Sequence, residues 1–154
     1  MSAVKDLHEI LSLELGKRHI EGTRLPACIT ANLNPRFPLR PYQERAFKFF
    51  VNYWEEAFDG KPRQNHQLLM HMATGSGKTM MMAGLIAYLY AKGYRKFLFF
   101  VNSTNIINKT RDNFLNPQSS KYLFAPTIAV GDRRVDVREV ESFQSVNLDD
   151  INIV

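Results

Sequence analysis

The octapeptide Met72-Ala73-Thr74-Gly75-Ser76-Gly77-Lys78-Thr79 constrains the fold of this chain more than any other stretch. An apolar run, Gln67 to Met72, precedes it, and a second, Met80 to Ala91, follows. Strand, glycine loop and helix in that order form a phosphate-binding loop. Backbone N–H groups of such a loop turn inward onto phosphate oxygens. Gly75 and Gly77 remove side chains that would block a close approach. The following helix aims its positive end at the same phosphates. Lys78 adds a full charge toward the β- and γ-phosphates, and the Thr79 hydroxyl is suited to Mg²⁺. Met72 stands where the general pattern has its first glycine. The plain alternative is a Gly-Ser-Gly turn followed by an unrelated Lys-Thr.

The 154 residues suffice for one domain with a sizeable core. Apolar residues make up 45% and charged residues 23%, an ordinary globular balance. A net charge of +5 and a pI near 9.4 permit a polyanionic partner without requiring one. Cys28 stands alone, which excludes an internal disulfide framework and fits a reducing compartment. No apolar run reaches membrane-spanning length, and the N-terminus lacks the form of a secretion signal. These features predict a cytoplasmic protein without a membrane partner.

Val4, Leu7, Ile10, Leu11 and Leu15 recur at helical spacing, with Gly16 as the expected stop. Residues 21–38 carry Gly22, Pro26, Pro35 and Pro38 and read as a connector. Pro41 suits a first helical position. Phe47, Phe50, Val51, Trp54 and Phe58 then line one stripe, ended by Asp59-Gly60. Lys61 to Asn65 reads as a solvated loop. The helix from Thr79 to about Lys92 is apolar on more than one face, which predicts burial against a sheet, with its methionines as core filling. Lys96 to Val101 reads as a strand buried on both faces, the signature of a parallel sheet in a right-handed βαβ unit. Asn102-Ser103-Thr104 opens a helix containing Ile106, Ile107, Phe114 and Leu115. Residues 126–130 and 138–140 are short strand candidates, and 151–154 begins another. The fold class is therefore α/β.

Hydrolysis of a bound triphosphate calls for an acidic pair at a strand end, to hold Mg²⁺ and orient water. The nearest case is Val146-Asn147-Leu148-Asp149-Asp150, preceded by Gln144-Ser145, and it reads better as a loop pair. Glu55-Glu56 sits on the aromatic helix. His8, His19, His66 and His71 have no metal-ligand spacing, and His71 reads as a structural histidine in the first strand.

Three stretches in succession resemble motifs of superfamily 2 helicases: Arg40-Pro41-Tyr42-Gln43, then the loop 72–79, then Phe99-Phe100-Val101-Asn102-Ser103-Thr104. Within that superfamily the chain is most similar to the restriction (Res) subunits of type III restriction enzymes, with type I restriction subunits and DEAD/DEAH-type proteins close behind. Methionine at position 72 is usual in this branch. The resemblance implies a RecA-like P-loop domain with a parallel sheet flanked by helices, using ATP and Mg²⁺. It implies that Lys78 is the catalytic lysine and that residues 74–79 hold the phosphates. Gln43 would read the adenine edge, and Phe37 or Arg40 would stack on it. Ser103 and Thr104, as helix-opening residues, would cap the helix, either as their sole role or together with contact to the DNA backbone that the resemblance implies. It further implies double-stranded DNA and a methylation or specificity subunit as partners. The expected division is 1–36 as N-terminal helix and connector, and 37–154 as the first part of helicase domain 1, ending before the acidic motif. Such a chain would bind nucleotide without efficient turnover. A small P-loop kinase and a nucleotide-dependent binding module without catalysis are the competing readings.

Overall fold

Pro41 begins the longest helix, and its fixed φ and missing N–H explain why the helix starts there. The computed structural model describes residues 5–101, 103–144 and 146–154. Val4, Asn102 and Ser145, which figure in the sequence motifs above, lie outside the described residues. The chain forms two compact units, one of residues 1–25 and 39–73, the other of residues 26–38 and 74–154.

The first unit is helical. It contains α1 (Leu7–Leu11), a π-helical turn (Ser12–Gly16), α2 (Lys17–Gly22) and α4 (Pro41–Glu55). Gly16 was expected to end the N-terminal helix. Instead it adopts φ 83° and joins the π turn to α2, because only glycine takes that conformation without strain. The predicted stripe on α4 holds as far as Trp54: Phe47, Phe50 and Val51 are buried and Trp54 is half-buried, while Phe58 lies past the end of the helix. Leu11, Ile20 and Tyr53 form the buried centre, with Leu15, Phe49, Trp54, Phe58 and Leu68 packed on it. α4 stops at Glu55, earlier than Asp59-Gly60, since Glu56 turns to an extended backbone. Lys61 then donates to the carbonyls of Trp54 and Glu56 at 2.9 and 2.7 Å, satisfying groups at the helix end. Phe58 reaches the cluster from beyond the helix.

Gln67 to Met72 was expected to be a strand. It runs without secondary structure, and burial alternates along it, with Leu69 96% exposed. Alternation shows the extended habit; a ladder partner is what a strand additionally needs, and none is paired with it among the described residues. His71 is exposed, so it is not a core histidine.

The second unit is α/β. It holds α3 (Ala27–Thr30), inside the stretch read as pure connector, then α5 (Lys78–Ala91), β1 (Lys96–Phe97), α6 (Thr104–Phe114), β2 (Ile128–Val130), β3 (Arg133–Val135), β4 (Val137–Glu139) and β5 (Ile151–Ile153). The sheet order is β1-β5-β4 with both pairings parallel, so the parallel sheet flanked by helices is present. Lys96 faces Asn152 and Arg138 faces it from the other side. β1 is shorter than the predicted run to Val101. Phe99 still donates to the Val154 carbonyl at 3.0 Å, but Leu98 and Phe100 are 52% and 84% exposed. The strand therefore buries one face, not two. Phe99 meets Phe114 of α6 edge-on at 6.4 Å, and Phe114 meets Phe124 at 5.7 Å.

α5 is buried along Met80, Met81, Ala83, Gly84, Ala87, Tyr88 and Tyr90, as its apolar pattern predicted. β2 and β3 form an antiparallel hairpin closed by Gly131-Asp132, and the sequence reading missed β3. Gly131 takes φ 60°, the positive value a two-residue hairpin turn requires.

Candidate functional site

The loop 74–79 lies in the second unit and is neither extended nor buried. Thr74 and Gly75 form a turn with Gly75 at φ 78°, and Gly77 reaches φ 86°, ψ 34° as the residue that caps α5. Both angles lie in the left-handed region, which glycine enters without a side-chain penalty. Open space surrounds the position a Cβ on Gly75 would take. The Gly77 carbonyl accepts from the Met81 N–H at 3.1 Å, so the 14-residue α5 starts directly from the loop. Thr74, Gly75 and Lys78 are exposed, while Ser76, Gly77 and Thr79 are half-exposed. The first-turn N–H groups of α5 have no partners within the helix itself, which makes the loop's end electropositive. Lys78 adds to the same sign.

Arg40 and Gln43 share the start of α4 in the first unit. Gln43 is 5% exposed, not the surface residue that its place at a helix start suggests. Its Oε1 accepts from the Arg40 N–H at 2.9 Å, while its own N–H donates to the Arg40 carbonyl at 2.8 Å. That reciprocal pair is a capping arrangement, and it fixes the orientation of the Gln43 amide. The Arg40 guanidinium donates to the Tyr42 hydroxyl at 3.2 Å on the surface.

Phe37 belongs to the second unit and is half-buried. Ser103 occupies the N-cap position of α6 with an extended backbone, and its carbonyl accepts from Ile106 and Ile107. Its hydroxyl makes no capping hydrogen bond, which departs from the capping role expected of it. Thr104 is the exposed first residue of α6.

Asp149-Asp150, the nearest sequence match to an acidic pair, precedes β5 and so lies at the strand's N-terminal end. Asp150 is 6% exposed, and both oxygens of its carboxylate accept hydrogen bonds. It accepts from Arg138 Nε at 2.6 Å, Asn147 Nδ2 at 2.8 Å and the Asp136 N–H at 3.1 Å. Asn152, fully buried, closes the same loop through Asn147 and Asp150 and also donates to the Arg95 carbonyl at 3.1 Å. This polar network, which residue spacing alone did not reveal, holds the loop before β5. Among the described residues no group of His, Cys, Asp and Glu forms a metal centre. No helix among them is long and apolar enough to cross a membrane.

The family described as type III restriction enzyme, res subunit, matches residues 36–152, well over half of the chain. The chain belongs to this family of Res subunits. The match includes the loop 74–79, the start of α4, and the sheet as far as Asn152 of β5. It places the α/β unit in the RecA-like P-loop superfamily, whose helicase-like ATPase domains use nucleotide and a divalent metal. The chain is also similar to the probable type III restriction-modification enzyme HindVIP Res subunit of Haemophilus influenzae, with 44% identity over 124 residues. That alignment covers 77% of this chain and 24% of the relative, so the chain spans about a quarter of that protein's length. No solved structure matches significantly.

Proposed function

We propose that this chain is the phosphate-gripping part of a Res-type DNA translocase, and that by itself it holds Mg·ATP without efficient turnover. The observation that carries the reading is the exposed glycine loop leading straight into the buried helix α5, in a chain of the Res family. Backbone N–H groups of Thr74 to Gly77 would cradle the phosphates, with Lys78 as the countercharge and Thr79 as the Mg²⁺ ligand. The donor set suits the group: backbone N–H groups, one ammonium and one hydroxyl. The bound metal would neutralise charge developing on the phosphates. For the base, Phe37 or Arg40 would stack on adenine and Gln43 would read its edge. An amide offers one donor and one acceptor side by side, which is what an adenine edge presents in complement.

The absence of efficient turnover is inferred from Asp150. Its carboxylate accepts from Arg138, Asn147 and the Asp136 N–H, a structural use that holds the loop before β5. Residues 37–154 would then be the leading part of helicase domain 1, with 1–36 as a helical preface. Ser103 and Thr104 would lie against a DNA phosphate at the start of α6, and a modification subunit would complete the system, as the relative's name indicates for that protein. A cytoplasmic site of action follows from DNA as substrate.

The test combines phosphate release with equilibrium binding. The expected result is Mg·ATP binding without Lys78-dependent phosphate release, and duplex DNA binding that weakens steeply with salt. Steady Lys78-dependent hydrolysis would refute the non-turnover reading. Transfer of phosphate to an added acceptor would favour a kinase.

A further inference from the structure

Asn34 makes four hydrogen bonds in a stretch that reads as featureless connector. Its N–H donates to the Leu123 carbonyl at 2.8 Å, and its Nδ2 to the Tyr122 carbonyl at 2.7 Å. Its Oδ1 accepts from the Arg36 N–H at 3.0 Å, and its carbonyl from the Phe37 N–H at 3.0 Å. The last two define a turn over Asn34-Pro35-Arg36-Phe37, with the side chain bridging residue i to i+2 and Pro35 fixing φ at the second position. The first two bolt that turn to residues 122–123. Just upstream, Leu33 bridges Phe124, and both side chains are buried at 5% and 0% exposure. The turn thus stands on a fixed base, and the residue it delivers at its end is Phe37.

We propose that Asn34 is a positioning residue for base recognition, holding the turn that presents Phe37 to the purine of a nucleotide. This rests on the nucleotide reading given above. Asn34 touches no ligand in this account; it sets where the Phe37 ring stands. Phe37 would otherwise follow a proline and an arginine through solvent, and a stacking ring must be held in one attitude to favour a base over water.

Two measurements on the 154-residue chain test it. The first is the rate of tryptic cleavage at the Arg36–Phe37 bond, referred to cleavage after the exposed Arg63. The second is the affinity for Mg·ATP against that for Mg·tripolyphosphate, which has the phosphates but no base. Asn34→Ala removes both side-chain bonds. It is expected to speed cleavage after Arg36 about tenfold relative to Arg63 and to weaken ATP about fivefold, with tripolyphosphate changed less than about twofold. Asn34→Asp keeps the acceptor for Arg36 and loses the donor to Tyr122, so it should fall between. Phe37→Ala should reproduce the loss of ATP affinity without the change in cleavage. Unchanged cleavage in Asn34→Ala, equal losses for the two ligands, or full ATP affinity in Phe37→Ala would each overturn the inference. If the unsubstituted chain binds tripolyphosphate as well as ATP, base recognition fails while the phosphate grip stands. If it binds neither, the nucleotide reading fails and takes this inference with it.

Discussion

Asn32 offers the sharpest quantitative test of how the second unit is held together. It is 1% exposed, and its amide makes three hydrogen bonds. Nδ2 donates to the carbonyls of Cys28 at 3.0 Å and Ala129 at 2.8 Å, and Oδ1 accepts from the Ala129 N–H at 2.9 Å. Ala129 lies in β2 opposite Arg134 of β3, yet both its backbone groups turn to Asn32. One side chain therefore serves as the neighbour that the outer edge of β2 lacks. Asn32→Leu keeps the volume and removes all three bonds. The two bonds to Ala129 are worth about 1 kcal/mol each. The leucine side chain would cover the Ala129 N–H and C=O without bonding them, which adds about 1 kcal/mol more. The sum, about 3 kcal/mol, should lower amide exchange protection at Ala129 roughly 100-fold. Hydrogen exchange followed at that amide gives the number directly, with amides of α4 as the reference. A change below about threefold would refute the view that this side chain closes the β2 edge.

Other expectations follow from the same geometry. Gly77→Ala places a Cβ at φ 86°, which should cost about 1–2 kcal/mol in the thermal unfolding of the chain. Asp150→Ala removes the acceptor of Arg138 Nε, Asn147 Nδ2 and the Asp136 N–H, so urea unfolding should show a loss of about 2 kcal/mol while Mg·ATP affinity is unchanged. A selective loss of Mg²⁺-dependent binding there, with stability intact, would make Asp150 a metal ligand instead. Burial, with the Asp136 charge as a second cause, raises the Tyr122 phenol above its ordinary value of 10.0. A raised folded-state value contributes stability that is complete below the unfolded value and is lost as pH rises through the folded one. Urea midpoints should therefore hold steady up to about pH 9 and fall above pH 10, and Tyr122→Phe should flatten that decline.

The parts of the chain legible from sequence were those where one local rule governed. Pro41, the aromatic stripe of α4 and the all-round apolar surface of α5 each fixed their element, and the glycines at 75 and 77 take the positive φ that the loop motif demands. Strand lengths were not legible, because a strand exists only with its neighbour. Gln67 to Met72 is apolar and has no ladder among the described residues, while Arg133–Val135, with two arginines, pairs with β2. At the end of α4, Lys61 reaches back to two carbonyls, a side-chain contact from beyond the helix that periodicity does not encode. Within the candidate site, the order of residues in the loop was readable, but the burial of Gln43 and the capture of Asp150 were not. Both depend on partners set by the fold.

The most direct measurement of the central claim is a calorimetric titration of the chain with Mg·ATP, repeated for Lys78→Ala. The account predicts saturable binding that weakens at least about tenfold when the ammonium is removed, corresponding to about 1.4 kcal/mol or more. Equal affinity in the two proteins, or no heat of binding in either, would contradict it.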